Sequence, residues 1–200
     1  MANLCFTLYA VYCPEADREA LYQLEAFSRL LTDRLDHQPD HRLPLAELIG
    51  PCSPDPPRND LRETILDISR ASSGRYRILF VECSSSWAPK SDAWNAYLGA
   101  HYPLLRLAYR GEEDGSEYFG IHDPDSVIQE RYLVDISGLR KPDGSLGEDY
   151  CYFRDEDSLL RWLLEEYGIA CSSIQEAQHS LDDLSGEETE FCALRIFEDE

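Results

Sequence analysis

Residues Asn3–Val11 place Leu4, Phe6, Leu8 and Ala10 on one side of an extended chain and Cys5, Thr7, Tyr9 and Val11 on the other. Both sides are largely apolar. A strand with two apolar sides suits a sheet that is well covered on both faces. The next segment is helical: acidic Glu15 and Asp17 follow Pro14, and Leu21, Leu24, Phe27, Leu31 and Leu35 recur every three to four residues. The helix is expected to run to about Leu35.

Residues 36–59 are rich in Pro, Asp and His, with a short helix possible only at Leu43–Ile49. Over Asp60–Ala71, Leu61, Ile65 and Ile68 have helical spacing, so a second long helix is expected there. Together residues 36–72 read as an insertion into the core. Arg75–Cys83 alternates as a strand, Ser84–Pro89 reads as a turn, and Ser91-Asp92 opens a helix through His101 with Trp94, Tyr97 and Leu98 as its stripe. Leu104–Tyr109 and Glu117–His122 read as strands joined through Gly111-Glu112-Glu113-Asp114-Gly115. Strands at Glu130–Ile136 and Asp149–Phe153, a helix from Asp157 closed by Gly168, a short helix near Ser173–His179 and a strand over Phe191–Phe197 complete the pattern.

Charge decides which partners such a chain can have. It carries 39 acidic and 18 basic side chains, a net of −21 over 200 residues. Residues 1–100 hold 14 acidic and 10 basic groups, whereas residues 101–200 hold 25 and 8. A surface this negative repels nucleic acid and anionic membrane and attracts basic protein surfaces. With 43% hydrophobic residues, the chain is nevertheless too apolar for acidic disorder. No secretion signal, membrane-length apolar run or C-x-x-C pair occurs, so a reduced, cytoplasmic setting is expected, with Cys5, Cys13, Cys52, Cys83, Cys151, Cys171 and Cys192 as small apolar side chains.

The opening Met1-Ala2-Asn3-Leu4-Cys5 with its strand and helix, and the ordered run Phe80, Ser86-Trp87-Ala88-Pro89, Tyr102-Pro103, Leu107, Tyr109, Glu112-Glu113 and Gly115 to Phe119-Gly120, resemble the YubB-type ferredoxin-like proteins of plasmids and phages. The likeness covers roughly residues 1–35 and 75–123. Leu4 stands where such proteins usually carry Trp. The resemblance implies a ferredoxin-like antiparallel sheet with helices packed on one face. Residues 1–123 are read as that core, and residues 124–200, outside the resemblance, as an acidic C-terminal α+β extension packed on or continuing the same sheet. The resemblance implies no activity, because fold does not supply function.

Candidate chemistry is sparse. His37 and His41 lie with Asp36 and Asp40 around Pro39, which breaks the helix that would align two histidines on one face. Asp123-Pro124-Asp125 and Asp182-Asp183 lack the spacing of a calcium loop. There is no G-x-S-x-G or phosphate-binding glycine loop, and no enzyme, cofactor or metal is expected. Around Trp87, Trp94, Tyr97, Tyr102, Tyr109, Tyr118 and Phe119 stand Arg106 and Arg110 but also Asp92, Glu112, Glu113, Asp114 and Glu117, so these aromatics read as core rather than as a nucleic-acid stacking platform.

The acidic groups remain. Glu112, Glu113, Asp114, Glu117, Asp123 and Asp125 cluster around one hairpin, and Asp155, Glu156 and Asp157 begin the acidic last quarter. The expected function is non-catalytic: an acidic protein of mobile-element type that imitates nucleic acid. These residues would then bind the basic surface of a host nucleic-acid-binding or defence protein, as anti-restriction and anti-CRISPR inhibitors do. Two alternatives stay open, an immunity protein against a nuclease toxin and a metal-dependent protein using His37 and His41.

Overall fold

The structure, a computed structural model, describes residues 4–49, 62–86, 88–113, 118–185 and 191–200. The protein is α+β. It divides into two compact units, residues 1–128 with 199–200, and residues 129–198.

The first unit is built on β1 (Leu4–Pro14), central in the strand order; Leu4 and Phe6 on one of its two apolar sides are exposed, so that side is not covered along its whole length as expected. Strand β1 pairs antiparallel with β4 (Tyr76–Ser86) on one side and β5 (Arg106–Glu113) on the other. Antiparallel β6 (Tyr118–His122) continues beyond β5, and β3 (Glu63–Ser73) beyond β4. Short β2 (Leu43–Pro44) and β10 (Glu198–Asp199) complete the order β10-β6-β5-β1-β4-β3-β2. Helix α1 (Arg18–Asp36) starts at Asp17, whose carboxylate accepts from the Glu19 and Ala20 N–H groups; Pro14 ends β1 rather than opening the helix. Its Leu24, Phe27 and Leu31 share one core with Tyr9, Val11, Leu79 and Val81 from the sheet and with Trp94 and Leu98 of α3 (Ser91–His101). Both helices thus cover the same sheet face. The short α2 (Leu45–Ile49) adds Leu45 and Leu48 to this core.

Of the helix expected over 60–71, residues 60 and 61 (Leu61 of its stripe included) lie outside the described residues and residues 63–71 belong instead to strand β3; the expected turn at Ser84–Ser86 is the end of β4. The helical spacing has a specific origin. A β-bulge lies between Ile65 and Asp67, and its extra residue brings Ile65 and Ile68 to the same face although they are three apart. Opposite them, Cys83 and Val81 confirm the shared face.

The second unit is a three-stranded antiparallel sheet in the order β8-β7-β9, formed by β7 (Tyr132–Arg140), β8 (Leu146–Phe153) and β9 (Phe191–Ile196). Val134 and Ile136 pack beneath α4 (Glu156–Tyr167) and α5 (Ile174–Leu184) with Leu159, Leu163, Ala177 and Leu181. Helix α4 is capped by Asp155 rather than Asp157, and Gly168 closes it at φ 69°, a backbone conformation that glycine adopts without steric cost. Helix α5 runs beyond His179 to Leu184. No helix among the described residues is long and apolar enough to cross a membrane.

Candidate functional site

The nine acidic residues expected to meet a partner have different fates. Glu112 and Glu113 lie inside β5 at 9% and 2% exposure, not on an exposed turn. That corrects their surface placement: pairing Phe6↔Glu112 and Glu113↔Tyr118 puts both in the body of the sheet. Asp114 and Glu117 lie outside the described residues.

Asp123 turns inward to its own loop, accepting from the Val127 and Ile128 N–H groups at 2.9 and 2.8 Å. Asp125 accepts from the Tyr12 and Tyr76 hydroxyls at 2.8 and 2.9 Å and from Arg106 at 2.8 Å. The two hydroxyls and the guanidinium hold its carboxyl below the usual range. Asp155 caps α4 through the Ser158 N–H at 2.8 Å, and Glu156 accepts from the Ile174 N–H at 2.9 Å. Only Asp157 stands exposed on a helix without such a structural bond among the described residues.

The acidic surplus is denser in the second unit. Residues 129–198 contain 17 acidic and 6 basic side chains, a net of −11 in 70 residues. Exposed Asp157 and Glu165 on α4, and Glu176, Asp182 and Asp183 on α5, face solvent because the opposite stripe of each helix is buried in the core. Of the basic groups, Lys141 is held between Asp149 and Glu166 at 3.0 and 3.2 Å. Arg161 is the single basic side chain within α4 and α5 apart from His179, which lies 3.5 Å from Asp183.

The histidine pair is not a preformed metal centre. His37 is the C-cap of α1, with Nδ1 against the Asp33 carbonyl, and His41 sits beyond it at φ 53°. Among the described residues no group of three or more His, Cys, Asp or Glu side chains is arranged to hold a metal ion. Cys5, Cys13, Cys83, Cys151, Cys171 and Cys192 are all free thiols. Burial pushes Cys5, Cys13, Cys83 and Cys151 upward, which keeps these thiols protonated and weakly nucleophilic. Cys52 and Trp87 lie outside the described residues.

A buried carboxylate that the sequence pattern conceals lies at the start of β3. Glu63 is 1% exposed and accepts from the Tyr9 hydroxyl at 2.8 Å and the Trp94 indole N–H at 2.7 Å. The Tyr9 oxygen in turn accepts from the Lys90 N–H at 2.6 Å. Burial raises the Glu63 carboxyl above its ordinary value, and its charge raises Tyr9 further beyond what burial does. This chain ties β1, β3 and the start of α3 together through polar groups. No periodicity marks Glu63, because its partners come from residues 54 and 31 positions away.

Along the same helix-covered side, α1 and the second half of β3 enclose two adjoining cavities of about 440 and 570 Å³. Both touch Ser28, Arg70 and Leu79. Arg70 reaches between them, donating to the Ser28 hydroxyl at 3.0 Å and pairing with Glu25 at 3.3 Å. Compared with known proteins, the chain matches no family model, no curated protein and no solved structure.

Proposed function

We propose that this is a non-catalytic acidic binding protein whose partner presents a basic surface, with the solvent faces of α4 and α5 as the binding face. The observation that carries the reading is the 17-to-6 excess of acidic over basic groups in residues 129–198, with Asp157, Glu165, Glu176, Asp182 and Asp183 exposed. Arrays of carboxylates on a folded scaffold present negative charge much as phosphates do, and they attract protein surfaces built for nucleic acid. We further read the protein as a cytoplasmic, mobile-element type of inhibitor that occupies the nucleic-acid groove of a host or defence protein.

The finer fold reading is that the first unit is a ferredoxin-like sandwich of YubB type. Its support is connectivity. With the short β2 and α2 set between α1 and β3, the elements β1, α1, β3, β4, α3 and β5 run as β-α-β-β-α-β, with the four strands antiparallel in the order β5-β1-β4-β3. The ordered motifs at 75–123 add to it.

The test is affinity capture from host lysate with the full chain, at about 50 mM and about 300 mM salt. Basic nucleic-acid-binding proteins should be retained at low salt and released at high salt. They should also be lost on replacing Asp157, Glu165, Asp182 and Asp183 by lysine. A partner that binds equally well through both changes ends this reading.

A further inference from the structure

We propose that the exposed edge of β3 is a second binding site, which takes an extended segment of another protein bearing alternating aliphatic and basic side chains. The site belongs to the first unit and stands independently of the acidic helices.

Strand addition needs an open edge, and this half of β3 has one. From Asp67 to Ser73 the strand pairs with Glu82–Tyr76 of β4 on one side. Its other neighbour, β2, reaches only Thr64 and Ile65. Among the described residues no strand pairs with the outer edge of Asp67–Ser72. Such an edge offers every second residue's N–H and C=O to an incoming strand. Natural edges are commonly guarded by lysine, proline or a very short strand. This one reads Asp-Ile-Ser-Arg-Ala-Ser-Ser, and its bulge lies ahead of the open stretch rather than within it.

Side-chain alternation then specifies the guest. Ile68 and Arg70 stand opposite Val81 and Leu79 on the helix-covered face, beside the two cavities that run between β3 and α1. A guest residue next to Ile68 would direct an aliphatic side chain into that space, against Leu35 and Leu79. The neighbouring guest residues point to the opposite face. There Asp67 stands directly across from Glu82, both exposed and neither in an ion pair among the described residues. Like charges directly opposite each other destabilise a strand pair. A lysine or arginine laid beside Asp67 would relieve that repulsion. The alternative guest is a second copy of this chain, and two molecules of net charge −21 repel each other.

The experiment titrates the full, isotope-labelled chain with a capped heptapeptide of alternating valine and lysine and follows its amide NMR signals. Shifts should concentrate on Asp67–Ser73 and on α1 near Leu35. Replacing the peptide lysines by glutamates should weaken binding about tenfold or more, as should Asp67→Lys, an exposed substitution that leaves the core untouched. Backbone N-methylation on alternate residues should weaken binding about tenfold in one phase and hardly at all in the other, because only one set of N–H groups faces β3. Equal effects of both phases, or no binding up to about 1 mM peptide, would overturn the proposal. Shifts confined to α4 and α5 would overturn it while supporting the acidic face. Loss of capture in the lysate experiment with intact peptide binding would leave this site standing and remove the other.

Discussion

Glu63 is the residue on which the interior of the first unit is most sensitive. Its carboxylate satisfies the Tyr9 O–H and the Trp94 N–H inside a core that offers them no water. Glu63→Ala strands both donors, and we expect a loss of about 3 kcal/mol in urea unfolding. Its pH dependence runs opposite to that of a salt-bridged acid. Burial raises the folded carboxyl above the unfolded chain's 4.5, so the native state holds the proton more tightly. The stabilisation is therefore complete below the unfolded value and declines as pH rises through the folded one. Glu63→Gln should flatten that decline as pH rises above the unfolded carboxyl value. An unchanged slope would assign the pH dependence to other groups. Residue identity alone did not announce this role. Glu63 follows Arg62 in a stretch that resembles a solvated helix end, and only the arrival of Tyr9 and Trp94 from distant segments makes it interior.

At the scale of elements, local chemistry was legible wherever an element carries its own signals. Gly168 closes α4 as a left-handed residue and the α1 stripe points inward as its spacing requires, whereas the caps of α1 and α4 are Asp17 and Asp155 rather than Pro14 and Asp157, and Leu164, at the expected stripe spacing of α4, is 51% exposed. The miss at β3 is equally physical. A bulge shifts the phase of a strand by one residue and imitates a helical interval. A glycine makes a close approach in the second unit. Gly147 of β8 lies beneath the Tyr167 ring, and a Cβ there would collide with the ring and its hydroxyl. That hydroxyl donates to Asp149, whose carboxyl it holds below the usual range. Gly147→Ala should therefore displace Tyr167 from α4's last turn and cost about 1–3 kcal/mol, measured by thermal or urea unfolding. A neutral effect would show that Tyr167 moves aside freely.

For the whole molecule, charge governs both stability and association, with opposite responses to salt. Self-repulsion at −21 opposes the folded state, and screening relieves it. Raising sodium chloride from about 20 mM to about 500 mM should raise the melting temperature while it weakens capture of a basic partner. A melting temperature that falls with salt would mean that attractive ion pairs outweigh the repulsion. The observed pairs make that outcome unexpected. Arg29–Glu25, Arg70–Glu25 and Arg106–Asp125 all include a half-exposed guanidinium, and exposed pairs contribute little.

The amino-acid sequence by itself determined the strand character of β1, the amphipathic helix α1 and the acidic excess, because these follow from local periodicity and composition. The tertiary structure decided which carboxylates remain on the surface. Glu112 and Glu113 go inside because the β5 register carries them there, Asp123 and Asp125 are occupied by bonds within their own unit, and the α4 and α5 acids stay in water because their opposite stripes are buried. It also decided that Glu63–Ser73 is a strand. Strand pairing and burial depend on partners far along the chain, and no local pattern encodes them.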